Sequence, residues 1–164
     1  MSETINIGSA IEAAATQEGE AVVETRPLAE PAKRDAGGFV WGTGRRKSSV
    51  ARVRIRPGDG KFLINKKEVN DYFTEPQHRN DCLKALEATK TTGNVDIFVN
   101  VSGGGITGQS GAILLGVARA LKGYDPTLEA TLRELNYLTR DPREVERKKY
   151  GQRGARRRFQ FSKR

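Results

Sequence analysis

The stretch "VARVRIRPGDG", residues 50–60, alternates with a period of two. Ala51, Val53 and Ile55 point one way and Arg52, Arg54 and Arg56 the other. That periodicity belongs to a strand with one face on a core and one face in water. The "PGDG" at residues 57–60 carries the proline and glycines of a hairpin turn, so Lys61 to Ile64 reads as the returning strand. Upstream, "FVWGTGRRKSS" supplies an earlier strand and a tight connection. The fold class is therefore set by paired strands, and the remaining segments say what covers them.

Downstream the period changes. Residues 77–89, "QHRNDCLKALEAT", read as a helix. "VDIFVNV", residues 95–101, alternates again, with Val95, Ile97, Val99 and Val101 on one face. "SGAILLGVARALKGY" places Ile113, Leu114, Val117, Ala118 and Leu121 at the spacing of a core helix. Asp125-Pro126 is a cap followed by a first-turn proline, and Leu128, Leu132 and Leu135 then form a second helical stripe. Asp141-Pro142-Arg143-Glu144 repeats that chemistry and predicts a short last helix. Strands and helices in this order make an α+β domain over residues 38–146.

Charge divides the chain into three. Residues 1–36 hold seven acids and three bases, a net −4, with no aromatic residue. Ser9-Ala10-Ile11-Glu12 fits a capping box, but so short an isolated helix is marginal. Residues 1–37 are expected to be an acidic, disordered extension. The whole chain of 164 residues carries +9, so the remainder carries about +13. From Arg147 to Arg164 there are nine bases and no acid, which makes residues 147–164 an extended basic tail. A balance of this sign implies an anionic partner, nucleic acid before membrane.

Composition excludes several chemistries. One cysteine, Cys82, cannot form an intrachain disulfide, and with one histidine, His78, it cannot complete a four-ligand zinc site. No apolar run approaches the ~20 residues of a membrane span. The N-terminus lacks the basic and apolar regions of a secretory signal. No catalytic set emerges. His78 lies among polar residues and reads as a surface side chain, and Cys82 reads as a buried small hydrophobe. No cofactor is implied.

Three motifs point to phosphate. "GTGRRKSS", residues 42–49, concentrates Arg45, Arg46 and Lys47 in a tight connection, with Ser48 and Ser49 as neutral donors. "GGGITGQSG", residues 103–111, lies between a strand and a helix, where a nucleotide-binding loop would lie. Gly103, Gly108 and Ser110 fit that pattern, but Gln109 stands in place of its essential lysine. Open amides at the helix start can still hold one backbone phosphate. The tail adds Arg147, Lys148, Lys149, Arg153, Arg156, Arg157 and Arg158, with Phe159 and Phe161 between cations. Arginine forks and flat rings together suit RNA. The arginine face of residues 52–56 is less specific, since exposed strand faces often carry bases.

"GTGRRKSSVARV", "GGGITGQSGAILLGVARAL" and "LTRDPREVERKKYGQRGARRRFQFSKR" occur in that order. On these stretches the chain resembles the bacterial small-subunit ribosomal protein nine family, most specifically in the terminal "QFSKR". The resemblance covers most of residues 39–164 and implies a ribosomal protein S5 domain 2-like fold. That is a mostly antiparallel sheet covered by helices, with a left-handed βαβ crossover. It implies a cytoplasmic, non-enzymatic ribosomal constituent of the subunit head, with ribosomal RNA and neighbouring head proteins as partners. It also implies that the tail tip, Ser162, Lys163 and Arg164, reaches transfer RNA in the peptidyl site. Two other readings remain: a small-molecule kinase of the same fold class, and a free-standing RNA chaperone.

Overall fold

A computed structural model describes residues 30–163. In chain order the elements are β1 (Val40–Arg46), β2 (Ser49–Pro57), β3 (Phe62–Ile64), β4 (Lys67–Glu68), α1 (Val69–Tyr72), α2 (Pro76–Ala88), β5 (Val95–Ser102), α3 (Ile106–Tyr124) and α4 (Glu129–Glu134). A 3-10 turn at Pro126–Leu128 precedes α4, capped by Asp125, whose carboxylate accepts the Thr127 amide at 3.0 Å. The five strands form one sheet in the order β1-β2-β5-β3-β4, antiparallel except for the β3–β5 pair.

The alternation of β2 holds in three dimensions. Ala51, Val53 and Ile55 are fully buried, and so, nearly, are Ile97, Val99 and Val101 beside them on β5. Ile113, Val117, Ala118 and Leu121 of α3 close over that face, with Cys82 and Leu86 of α2, Phe73 after α1 and Leu132 of α4 completing the core. Among the described residues the architecture is two layers, with no helix over the other sheet face.

β1 lies close against α3 because its inward positions are Val40, Gly42 and Gly44. A Cβ on Gly44 would stand 1.9 Å from the Ala112 carbonyl oxygen, and one on Gly42 would stand 2.3 Å from that of Gly116. These glycines have no unusual dihedral requirement; they are small because helix backbone occupies the space a side chain would need.

The returning strand after "PGDG" does not pair with β2. β5 lies between β2 and β3, so residues 57–61 arch over its first residues. Asp96 explains the detour. Its carboxylate accepts the amides of Asp59 and Lys61, both at 3.1 Å, and the Arg56 guanidinium at 3.2 and 3.3 Å. Gly58 donates to the Asn94 carbonyl, and Ile97 donates to that of Lys61. A buried carboxylate with these charge-assisted and backbone donors ties the arch to β5.

The Lys61 amide, burial and Arg56 are the leading influences on Asp96, and their net effect lowers its pKa from the ordinary value. A folded pKa below the unfolded one means that the unfolded state binds more protons in acid. The stabilisation is complete above about pH 5 and is lost as pH falls through the folded value. Asp96→Asn is therefore expected to lower the melting temperature by roughly 3–6 °C near pH 6, with a gap that narrows towards pH 2. Thermal unfolding followed by circular dichroism across that range tests this; a pH-independent gap would remove the charge from the explanation.

Two other expectations change. His78 is buried, with its Nε2 3.1 Å from Glu75 and its ring beside Phe73, because the first turn of α2 folds against the core. The helix expected from Asp141 does not form: after α4 and a turn, residues 140–149 are irregular. Asp141 does cap locally, accepting the Arg143 amide at 3.0 Å, but Val145 is exposed and no apolar stripe docks the segment. The described end of the expected extension, from residue 30, is irregular and mostly exposed but makes several contacts. The Ala32 amide donates to the Gly123 carbonyl, Arg34 lies over the Tyr124 ring, and the Asp35 amide donates to the Phe39 carbonyl. Residues 1–29 and Arg164, and the expectations placed on them, lie outside the described residues.

Candidate nucleic-acid interface

The β1–β2 turn and the glycine loop, distant in sequence, form one end of the molecule. Arg46 pairs with Ser49 across the sheet, leaving Lys47 and Ser48 as a two-residue turn. Lys47 adopts a φ of 52°, which turns its side chain outward into solvent. The glycine loop packs directly beneath. Ser49 Oγ donates to the Gly103 carbonyl at 3.1 Å, and Gln109 Nε2 donates to the same oxygen at 3.1 Å. Gly103 and Gly104 have φ of 73° and 63°, and a Cβ on Gly104 would meet Ser49 Oγ at 2.1 Å. Glycine is required there on both counts.

This packing redistributes the roles expected of the motif. Ser49 is buried and binds the glycine loop, so it is not a donor to an external phosphate. Ser110 is also buried and donates to the Thr107 carbonyl of its own helix. Gln109, which stands where a nucleotide-binding loop needs lysine, joins Gly103 to the Tyr72 hydroxyl. The start of α3 has no side-chain cap, and the loop before it packs against Ser48 of the turn, so its first amides can receive an anion.

Arg45 and Arg46 are successive strand residues and take opposite faces of the sheet. Arg45 is exposed on the open face. Arg46 runs across Gly111, donates to the Thr107 carbonyl at 3.2 Å, and pairs with Asp141 at 3.2 Å. Arg143 grips the same carboxylate at 2.9 Å. Arg143, by side chain and amide, and Arg46 hold the Asp141 carboxyl well below the usual carboxylate range. Arg140 reaches back to the Lys47 carbonyl at 3.5 Å. The basic tail is thus rooted beside the turn and the glycine loop. Sequence reading missed this latch, although an aspartate before Pro-Arg is a capping signal whose target was open.

Beyond the latch the cations face solvent. Arg147, Lys148, Lys149, Arg153, Arg156, Arg157, Arg158, Ser162 and Lys163 are all exposed. Tyr150 and Phe161 are 97% and 94% exposed, more than a chain's own folding explains for aromatic residues. The tail bends once: the Arg153 amide donates to the Arg157 carbonyl, and Arg156 pairs with Glu146 at 2.8 Å. Arg153 lies 5.1 Å over the Phe159 ring. Cys82, by contrast, is fully buried, and its thiol is pushed up to about 12 by burial and by Asp81, which leaves it without nucleophilic character.

Comparison with known proteins settles the family. Residues 44–164 match ribosomal protein S9/S16. The chain belongs to that family. It is similar to the small ribosomal subunit protein uS9 of Rhodopirellula baltica, at 57% identity over 127 residues, covering 77% of this chain and 93% of the relative. The uS9 protein of Thermotoga maritima is 55% identical over 76% of this chain and 95% of its own length. That of Chlorobium limicola is 56% identical over 74% and 94%. The S9 match takes in the turn, the glycine loop and the whole tail, and begins after the acidic extension. Among the described residues no helix is long and apolar enough to cross a membrane.

Proposed function

We propose that this S9-family chain is a structural constituent of the small ribosomal subunit in the cytoplasm, acting by binding ribosomal RNA in the subunit head rather than by catalysis. The observation that carries the reading is the shared root of its basic elements. Lys47, the open amides of α3 and the tail anchor at Asp141 lie at one end of the domain. Arg45 and Lys47 are the docking cations of the globular part, and Arg46 positions the tail. Arg147, Lys148, Lys149, Arg153, Arg156, Arg157 and Arg158 neutralise RNA phosphates as the tail orders along them. Neighbouring head proteins meet the remaining surface. The parallel β3–β5 pair, joined through α1 and α2, is the βαβ unit to which a left-handed, S5 domain 2-like crossover would refer.

The tip, Ser162, Lys163 and Arg164, is assigned to the backbone of transfer RNA in the peptidyl site. The fourteen residues from Gly151 reach on the order of 45 Å when extended. Phosphate contacts favour tRNA without reading its sequence. Deleting residues 162–164 is expected to leave incorporation into subunits near normal and to weaken tRNA binding by about 1–2 kcal/mol, similarly for different tRNAs. The measurement is tRNA binding to purified subunits carrying the truncated chain at full occupancy. Wild-type affinity across several salt concentrations would exclude the tip contact.

A further inference from the structure

The open face of the sheet is built differently from an ordinary solvated surface. On β2, Arg54 stands opposite Trp41 of β1 and Phe98 of β5, and Arg52 stands opposite Thr43 and Asn100. The Arg52 guanidinium carbon lies 5.6 Å over the Trp41 ring. That of Arg54 lies 5.2 Å from Phe39 and 5.3 Å from Phe98, two rings that themselves meet edge to face. Among the described residues neither arginine has a hydrogen-bond or ion-pair partner. Carboxylates occur only towards the margins: Asp96 is paired with Arg56, Asp35 accepts the Trp41 Nε1, and Glu68 lies on the edge strand β4.

Rings beneath two guanidinium groups restrict their rotamers and leave the N–H edges unoccupied. Alternate residues on a strand are about 6.8 Å apart, close to the separation of successive phosphates along a nucleic-acid strand. Phe39 and Phe98 are half-buried and Trp41 is 44% exposed, and each ring already carries an arginine, which favours contact with the sugar-phosphate backbone over base stacking. Arg45 continues the positive surface along β1 to the turn.

We propose that Arg52 and Arg54, held by Trp41, Phe39 and Phe98, form a second contact surface of the domain for the phosphate backbone of RNA. The inference rests on the RNA-binding reading above and adds a face to it. Arg56 shares the Phe39 and Phe98 rings, at 5.5 and 5.4 Å, but its guanidinium is already paired with Asp96, so it is left out of the proposed contact.

The test uses the full chain and protein-free small-subunit ribosomal RNA. The double variant Arg52→Gln/Arg54→Gln is expected to lower the logarithmic salt slope of binding by roughly 1.5–2 units. In the wild-type chain, RNA should also protect Arg52 and Arg54 from an arginine-specific dicarbonyl reagent, read by mass spectrometry. Protection does not depend on whether the variant folds. An unchanged slope in a folded variant, or equal modification with and without RNA, overturns the proposal. The tail variant Arg156→Ala/Arg157→Ala/Arg158→Ala separates the two readings. If it loses slope while the sheet variant does not, RNA binding stands and the second surface falls; if neither does, RNA binding itself falls. Protection by an acidic peptide of residues 1–29 but not by RNA would assign the face to the chain's own extension and likewise overturn the proposal.

Discussion

Gly44→Ala is expected to destabilise the domain by about 3 kcal/mol or more and to lower its melting temperature by roughly 10 °C. The added methyl would lie 1.9 Å from the Ala112 carbonyl oxygen and 2.5 Å from the Gly116 nitrogen. Both are backbone atoms of α3, so no rotamer change relieves the clash. The sheet and helix must separate, which weakens packing along the whole of β1. Domains of this size have only about 5–15 kcal/mol in total, so the loss is a large fraction. Thr43→Ala, on the exposed position between the two glycines, is the control and should stay within about 0.5 kcal/mol. Urea titration measures both. A Gly44→Ala midpoint close to wild type would mean that β1 can slide on α3 and that the tight approach is not essential.

The second large effect is on RNA binding. Replacing Arg156, Arg157 and Arg158 together with alanine is expected to reduce the logarithmic salt slope by roughly two to three units. The three positions are not equivalent. Arg157 and Arg158 are exposed and have no ion-pair partner among the described residues, so each should account for nearly one unit. Arg156 is already matched by Glu146 at 2.8 Å and should account for less. Glu146→Gln frees Arg156 and is expected to tighten RNA binding modestly, with a steeper slope. Filter binding across a salt series distinguishes these outcomes. Three equal single-variant effects would mean that the Glu146 pair does not persist in solution, and no effect from any of them would place the tail away from RNA.

Much of this was legible in the chain. The alternation at Ala51–Arg56 and Val95–Val101, the apolar spacing of Ile113–Leu121 and the cap at Asp125 depend on neighbours within a few residues. Backbone geometry converts such patterns directly into strand, helix and turn. Net charge and the run from Arg147 to Arg164 likewise required no fold to imply an anionic partner, and the stretches shared with the S9 family required only order.

The rest depended on residues far apart in sequence. "PGDG" has the composition of a hairpin turn, and only Asp96, some forty positions later, makes it an arch across β5. Gly42 and Gly44 look like turn residues until α3 lies on them. Asp141 has the form of a helix cap, but Arg46 draws it into a latch instead. Arg45, Arg46 and Lys47 read as one cluster, while the pleat sends the first two to opposite faces. Local pattern determines which elements form and which side of each is apolar. Strand order, close approach and the partner of each charge are decided by the three-dimensional packing, because those energies exist only between groups that the fold has already brought together.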